Sequence, residues 1–532
     1  MMKLYYLPLL LVSCFFAVNG KTKESFYNIS NYQDTIKKQP AYPDWERISK
    51  ENPVIPGDFA DPSIIRVGDI YYATGTSSEW APYFPIFTSK DLENWQHIGY
   101  VFNQTPSWAA SSFWAPELFY YNETFYVYYV AKKKSDKISC IGVAISKDPA
   151  KGFTDKGIVL PFGTEAIDPY IVNEKDQLYI TWKAYGLDKR PIEILGCKLS
   201  KDGLKPDGIP FTLLKDDGRK GLEGQCLVKK DGYYYLFYSI GGCCGPKCSY
   251  EVCVARSKSL EGEFLKFANN PVLIENDLWK CPGHGTVAET KEGRYFYLYH
   301  AYNKNDHVFT GRQGMLAEVL WDTKTGWPQI KNESGTEDKN AKIPSTFFDD
   351  FSTPKISLAW QWDFRNTKPL WHIKGSNLYL SGKADTANKT GTALTIRPVK
   401  GNYEMTTSVI NKNVSLKGLV VYGDADQSVG IGIRDNLIEV FEVKNNKRTI
   451  LRRKENVNNG PVFLKIGVEE GYKIRFFWSH EKNSWNEIKA GDDSYYNGDF
   501  LPPWDRSPRP GLLHFGKIKE PAGFSFFKIK YH

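Results

Sequence analysis

Apolar positions along this chain fall in short runs broken by turn residues, and no long stretch repeats them at helical spacing. The runs recur in phase. Tyr71-Tyr72-Ala73, Phe125-Tyr126-Val127, Leu178-Tyr179-Ile180, Tyr233-Tyr234-Tyr235 and Tyr295-Phe296-Tyr297 each follow ten or eleven residues behind a small polar motif. Those motifs are Asp61-Pro62-Ser63, Trp114-Ala115-Pro116-Glu117, Asp168-Pro169-Tyr170, Glu223-Gly224-Gln225 and Gly283-His284-Gly285. The openings at 61, 114, 168, 223 and 284 stand 53, 54, 55 and 61 residues apart. A Ser-Lys pair recurs at Ser89, Ser146, Ser200 and Ser257, and Lys230-Asp231-Gly232 has the composition of a hairpin turn. Unrelated hairpins in a sandwich would not hold three markers in phase. Five such units predict a five-bladed β-propeller over 51–330, each blade burying its faces against its neighbours and radial closure protecting the sheet edges.

The pattern changes after 330. A polar stretch reads as a linker over 331–346, and the remainder, 347–532, lacks the repeat. There Leu419-Val420-Val421-Tyr422, Ile431-Gly432-Ile433 and Phe463-Leu464-Lys465-Ile466 alternate with Gly and Asn turns, as in a jelly-roll-like β-sandwich. The expected fold is therefore all-β, a propeller followed by a sandwich. The 15% aromatic content, 44 Gly and 30 Pro agree with many short strands and turns.

Ahead of the repeats, Lys3 followed by an apolar run to Val18 has the layout of a secretory signal over 1–20, leaving 21–50 as an N-terminal segment. Processing before Lys21 and lipid attachment at Cys14 both fit, so the chain is expected to be exported to a periplasmic, cell-surface or extracellular location. No later stretch is long and apolar enough to predict a transmembrane helix. The net charge of +8 is scattered among 69 basic and 61 acidic residues, which argues against a nucleic-acid groove. Of nine cysteines, Cys226, Cys243, Cys244, Cys248, Cys253 and Cys281 cluster. Export makes disulfides the first expectation there, with structural zinc disfavoured by the spacing and the pairing left open.

In a propeller, residues at equal phase converge on the central channel despite their distance in sequence. Three openings then bring Asp61, Asp168 and Glu223 together. Either Asp-Pro alone reads as a turn; equal phase in three blades raises the set to a catalytic candidate. Hydrolysis of a glycosidic bond with inversion needs an acid for the departing oxygen and a base for the attacking water, and converging carboxylates push each other's pKa values apart.

Gly57-Asp58-Phe59-Ala60-Asp61-Pro62-Ser63, Phe113-Trp114-Ala115-Pro116-Glu117, Ala166-Ile167-Asp168-Pro169 and Leu222-Glu223-Gly224 resemble the signature segments of glycoside hydrolase family 43. Pro282-Gly283-His284-Gly285 and Gly311-Arg312-Gln313-Gly314-Met315 resemble later segments of the family. The resemblance implies that Asp61 is the general base, Glu223 the general acid, and Asp168 the group that raises the acid's pKa and orients it. It implies a sugar-binding role for Arg312, and for His284 a place against a channel water or a structural calcium ion, no cofactor being required for the reaction. The C-terminal part resembles the concanavalin-like module of family 43 β-xylosidases and arabinofuranosidases, on length, position and Asp349-Asp350-Phe351.

Trp80 and Trp114 are candidate platforms under the sugar ring, with core packing as the competing role. The implied activity is exo-acting, inverting release of a terminal α-L-arabinofuranose or β-D-xylose from plant-type polysaccharide or oligosaccharide. Two alternatives stand beside it: a retaining glycosidase on the same scaffold, and a carbohydrate-binding propeller without catalysis.

Overall fold

The structure is a computed structural model that describes residues 52–532 except 188, 219, 332–342, 456–459, 483 and 492–493. The expected signal, the N-terminal segment, Cys14 and most of the linker lie outside the described residues.

Five sheets make the propeller. Blade 1 is Ser63–Val67, Ile70–Thr74, Tyr83–Ser89 and Gln96–Phe102; blade 2 is Ala109–Tyr121, Thr124–Lys133, Ser139–Ser146 and Thr154–Leu160. Blade 3 is Ala166–Glu174, Gln177–Ala184, Glu193–Lys198 and Phe211–Lys215; blade 4 is Glu223–Lys230, Tyr233–Ile240, Glu251–Ser257 and Leu265–Lys266. Blade 5 joins Trp279–Glu289, Tyr295–Asn303 and Arg312–Trp321 to Ile55–Asp58 from the other end of the propeller. First and last segments thus share one sheet, and the opening strand of each blade contacts the next, the fifth contacting the first.

The aromatic runs are the second strands. They read as continuous apolar segments because both faces are covered by neighbouring blades, as in Thr124–Lys133, where seven consecutive residues are buried. Five apolar cores result, one in each wedge between adjacent blades. Asp231 (φ 49°) and Gly232 (φ 77°) both lie in the left-handed region, the requirement of the tight hairpin turn read from Lys230-Asp231-Gly232.

The C-terminal region is a β-sandwich. A nine-stranded sheet that includes Tyr403–Val409, Val462–Glu469 and Ala522–Tyr531 faces a six-stranded sheet that includes Leu416–Asp424, Gln427–Arg434 and Arg509–Phe515. Leu419, Val421, Ile431, Leu464, Ile466 and Phe527 fill the space between them. The sandwich is joined to the propeller by backbone pairing, Trp362–Asp363 running antiparallel to Trp80–Ala81.

Candidate active site

Every blade opens on the same local device. Asp61 (φ 50°), Ala115 (φ 42°), Asp168 (φ 55°), Gly224 (φ 61°) and His284 (φ 39°) all take positive φ, and in blades 2 to 5 the pairing of first and second strands slips there. Such bulges turn a side chain out of the sheet, at a cost of about 1–3 kcal/mol for each non-glycine residue. The strain falls on two of the carboxylates that phase alone brought together, Asp61 and Asp168, and beside the third on Gly224. His284 Nδ1 lies 3.5 Å from Asp61 Oδ1 and 3.8 Å from Asp168 Oδ2, and Gly224 donates its N–H to Asp168 Oδ2 at 2.9 Å.

A second ring supports the first. Thr76 and Lys183 lie fifteen residues after Asp61 and Asp168, Ser239 and His300 sixteen after Glu223 and His284. Each reaches forward to the next blade's opening. Thr76 Oγ1 accepts the Ala115 N–H at 2.8 Å, Lys183 Nζ donates to Glu223 Oε2 at 2.8 Å, Ser239 Oγ accepts the His284 N–H at 2.9 Å, and His300 Nδ1 accepts the Asp61 N–H at 3.1 Å. These residues are absent from the sequence-based expectations, although the same phase rule, applied one strand later, finds them.

On the base side, Arg312 Nη1 donates to Asp61 Oδ1 at 2.9 Å and Thr76 Oγ1 to Oδ2 at 2.6 Å. Burial pushes the Asp61 carboxyl up, but Arg312, His284, His300 and the Thr76 hydroxyl together hold it at about 2. Asp61 is ionised throughout the neutral range. Burial, reinforced by Arg312, holds His300 well below its ordinary range, so its ring is neutral.

The acid side is arranged differently. Glu223 receives Lys183 on Oε2 and the Tyr250 hydroxyl on Oε1 at 2.8 Å. Burial raises its pKa, yet the Lys183 charge and these hydrogen bonds bring it below the usual carboxylate value. Burial lifts Asp168 to about 6, with His284 and Lys183 opposing it and the Glu223 and Asp61 charges adding to it. Of the two carboxyls, Asp168 is therefore the one driven towards its protonated form. Lys183 also stands 3.7 Å from Glu165 Oε2, a second buried carboxylate that burial pushes up.

Of the remaining expected residues, Arg312 is placed beside Asp61 as described, and Trp114 is partly exposed, its Nε1 donating to Asp505 Oδ2 at 3.0 Å. Trp80 is a correction. It is 1% exposed and packs on Tyr422, Leu416 and Leu513 of the sandwich, with Arg509 over its ring at 4.2 Å, so it docks the two regions and offers no face to a sugar. For calcium, no group of three His, Cys, Asp or Glu that could hold a metal ion occurs among the described residues.

Disulfides join Cys243 to Cys244 and Cys248 to Cys281, stapling the loop that leads into Tyr250, whereas Cys226 and Cys253 are free and buried. The sandwich also enters the site. Asp505 contacts Trp114, its carbonyl accepts Arg312 Nη2 at 3.0 Å, and the neighbouring Trp504 is 62% exposed.

Comparison with known proteins agrees with this geometry. Residues 50–328 match glycosyl hydrolases family 43, and 348–502 match the β-xylosidase C-terminal concanavalin A-like domain. The extracellular exo-α-(1→5)-L-arabinofuranosidase ArbA of Cellvibrio japonicus is 30% identical over 311 residues, covering 51% of this chain and 86% of that protein. A β-xylosidase of Bacillus subtilis is 24% identical over 516 residues, covering 85% and 94% respectively. Among solved structures, the xylan β-1,4-xylosidase of Bacillus halodurans C-125 superposes with a TM-score of 0.78 at 21% identity, covering 91% of this chain and all of that one. With the repeat, the paired domains and the carboxylate set in agreement, the chain belongs to glycosyl hydrolases family 43 and is an inverting glycoside hydrolase.

Proposed function

We propose that this protein is exo-acting and releases a terminal pentose, α-L-arabinofuranose or β-D-xylose, from plant-type polysaccharide or oligosaccharide. The observation that carries the chemistry is the opposite tuning of two buried aspartates at the same phase. Asp61, held ionised by Arg312 and Thr76, takes a proton from the attacking water. Glu223 protonates the departing oxygen, and Asp168, which accepts the Gly224 N–H, orients the acid and tunes its pKa. Arg312 and Trp114 are the proposed sugar contacts, Arg312 through its planar fork and Trp114 through its ring face.

Named relatives, an exo-arabinofuranosidase and a β-xylosidase, support the pentose; the sandwich residue Asp505, bonded to Trp114, supports a site closed on one side, suited to chain ends. Export is part of the same proposal, by signal cleavage before Lys21 or lipid attachment at Cys14. A panel of aryl α-L-arabinofuranosides, β-D-xylosides and β-D-galactosides tests the sugar, and proton NMR of the first-formed anomer tests the route. Release of galactose alone overturns the pentose reading; a retained anomer removes the water-activating role from Asp61; binding without any release favours the non-catalytic alternative.

A further inference from the structure

Behind the base, where propeller meets sandwich, lies a cavity of about 340 Å³ whose wall includes Asp58, Thr76, His97, Tyr100, Arg397 and Arg509. Two guanidinium groups in one void are unusual because a buried cation without a counter-ion is costly. Neither is ion-paired among the described residues. Arg509 is 3% exposed, gives Nη1 to the amide oxygen of Gln361, and leaves Nε without any partner. Arg397 gives Nη1 to the Asp58 carbonyl at 3.2 Å and lies beside the rings of Phe59 and Phe87.

The rest of the wall does not neutralise them. Asp58 is the single carboxylate among the lining residues, and its two oxygens already accept the Arg312 and Ser507 N–H groups, each at 3.2 Å. The Tyr100 hydroxyl donates to the Leu358 carbonyl at 2.7 Å. His97 bonds the Gly99 carbonyl and, with burial and then Arg397 lowering it to about 4, carries no charge at neutral pH. The cavity therefore bears one net positive charge and two forked guanidinium donors, the chemistry that recognises carboxylate or phosphate oxygens.

We propose that this cavity binds a small oxyanion, a carboxylate or a phosphate, between Arg397 and Arg509. The site adjoins the catalytic centre without belonging to it. Thr76 lines the cavity and also donates to Asp61, and Asp58 holds the backbone of Arg312, so an occupant reports to the base through two short connections.

Thermal unfolding of the full chain in phosphate, acetate and chloride at equal ionic strength tests it. The expected result is a saturable rise of about 2–4 °C at a hundredfold excess over Kd, in phosphate or in acetate but not in chloride. A response to phosphate alone identifies a tetrahedral occupant, and one to acetate alone a carboxylate. Arg397→Gln, which preserves a donor for the Asp58 carbonyl, is expected to abolish the increment. Calorimetric titration of phosphate and of acetate into the wild-type chain gives a second readout should that variant fold poorly. Equal melting in all three salts, an undiminished increment in Arg397→Gln, or no binding of either anion at millimolar concentration overturns the proposal.

Discussion

Asp61 and Asp168 occupy the same place in blades 1 and 3, with the same left-handed backbone and nearly the same burial, yet their carboxyls are driven in opposite directions, to about 2 and about 6. Backbone position does not separate them; the side chain delivered by the neighbouring blade does. Asp61 meets Arg312, a guanidinium fixed in the third strand of blade 5 and tied to the sandwich through Asp505. The cation on the other side, Lys183, bonds Glu223, and on Asp168 it and His284 offset only part of the upward push of burial and of the Glu223 charge. A propeller built from one repeated motif thus produces a base half and an acid half by where it places two cations, Arg312 in a third strand and Lys183 in a second.

Removing the reacting groups breaks the comparison most severely. Asp61→Asn and Glu223→Gln are each expected to lower kcat by about 10³-fold on natural linkages, within the usual range for a lost general acid or base. The halves should still be distinguishable. On a nitrophenyl glycoside, whose leaving group needs little protonation, Glu223→Gln recovers much of its rate and Asp61→Asn does not. Equal recovery by both variants would undo the assignment of acid and base.

Stability is expected to separate the two aspartates next. With a folded value of about 2 against an ordinary 3.8, Asp61 contributes stability that is present above pH 4 and lost as pH falls towards 2. Asp168, at about 6, behaves in the opposite sense: the folded state holds the proton more tightly, so stability falls as pH rises from 4 to 6 and stays reduced above it. At pH 8, Asp61→Asn should destabilise by about 3 kcal/mol, leaving Arg312 buried without its counter-charge. Asp168→Asn, whose amide oxygen can still accept the Gly224 N–H, should stabilise by on the order of 2–3 kcal/mol. Chemical denaturation at pH 8 and pH 4 checks both; shifts of the same sign in the two variants would contradict the opposed tuning.

Much of this was legible in the chain. The repeat predicted five blades because both faces of each second strand are covered, which writes a continuous aromatic run into the sequence. Equal phase also brought the carboxylates together without any knowledge of the backbone. Trp80 was not readable, because a tryptophan that docks the sandwich and one that carries a sugar have the same local pattern; only Tyr422 and Leu513, hundreds of residues on, distinguish them. Lys183 was hidden inside an apolar strand, Leu178-Tyr179-Ile180-Thr181-Trp182-Lys183, where a lysine has no local meaning until the next blade supplies Glu223.

Lys183 also gives the finest test of the two halves. Its ammonium lies between Glu223 and Glu165, so removing one partner changes how strongly it acts on the other. The basic limb of kcat/KM reports loss of the proton shared by Asp168 and Glu223, and the acidic limb reports protonation of Asp61. Lys183→Met withdraws a cation that favours the ionised acid, so the pair should keep its proton longer and the basic limb move up by about one pH unit. Glu165→Gln leaves Lys183 wholly to Glu223 and should move the same limb down by a smaller amount. The acidic limb should stay in place in both, because Arg312 and not Lys183 holds Asp61. A lysine that merely props up the channel would lower kcat in both variants without moving either limb. Opposite displacements of one limb, with the other fixed, are what a cation confined to the acid half requires.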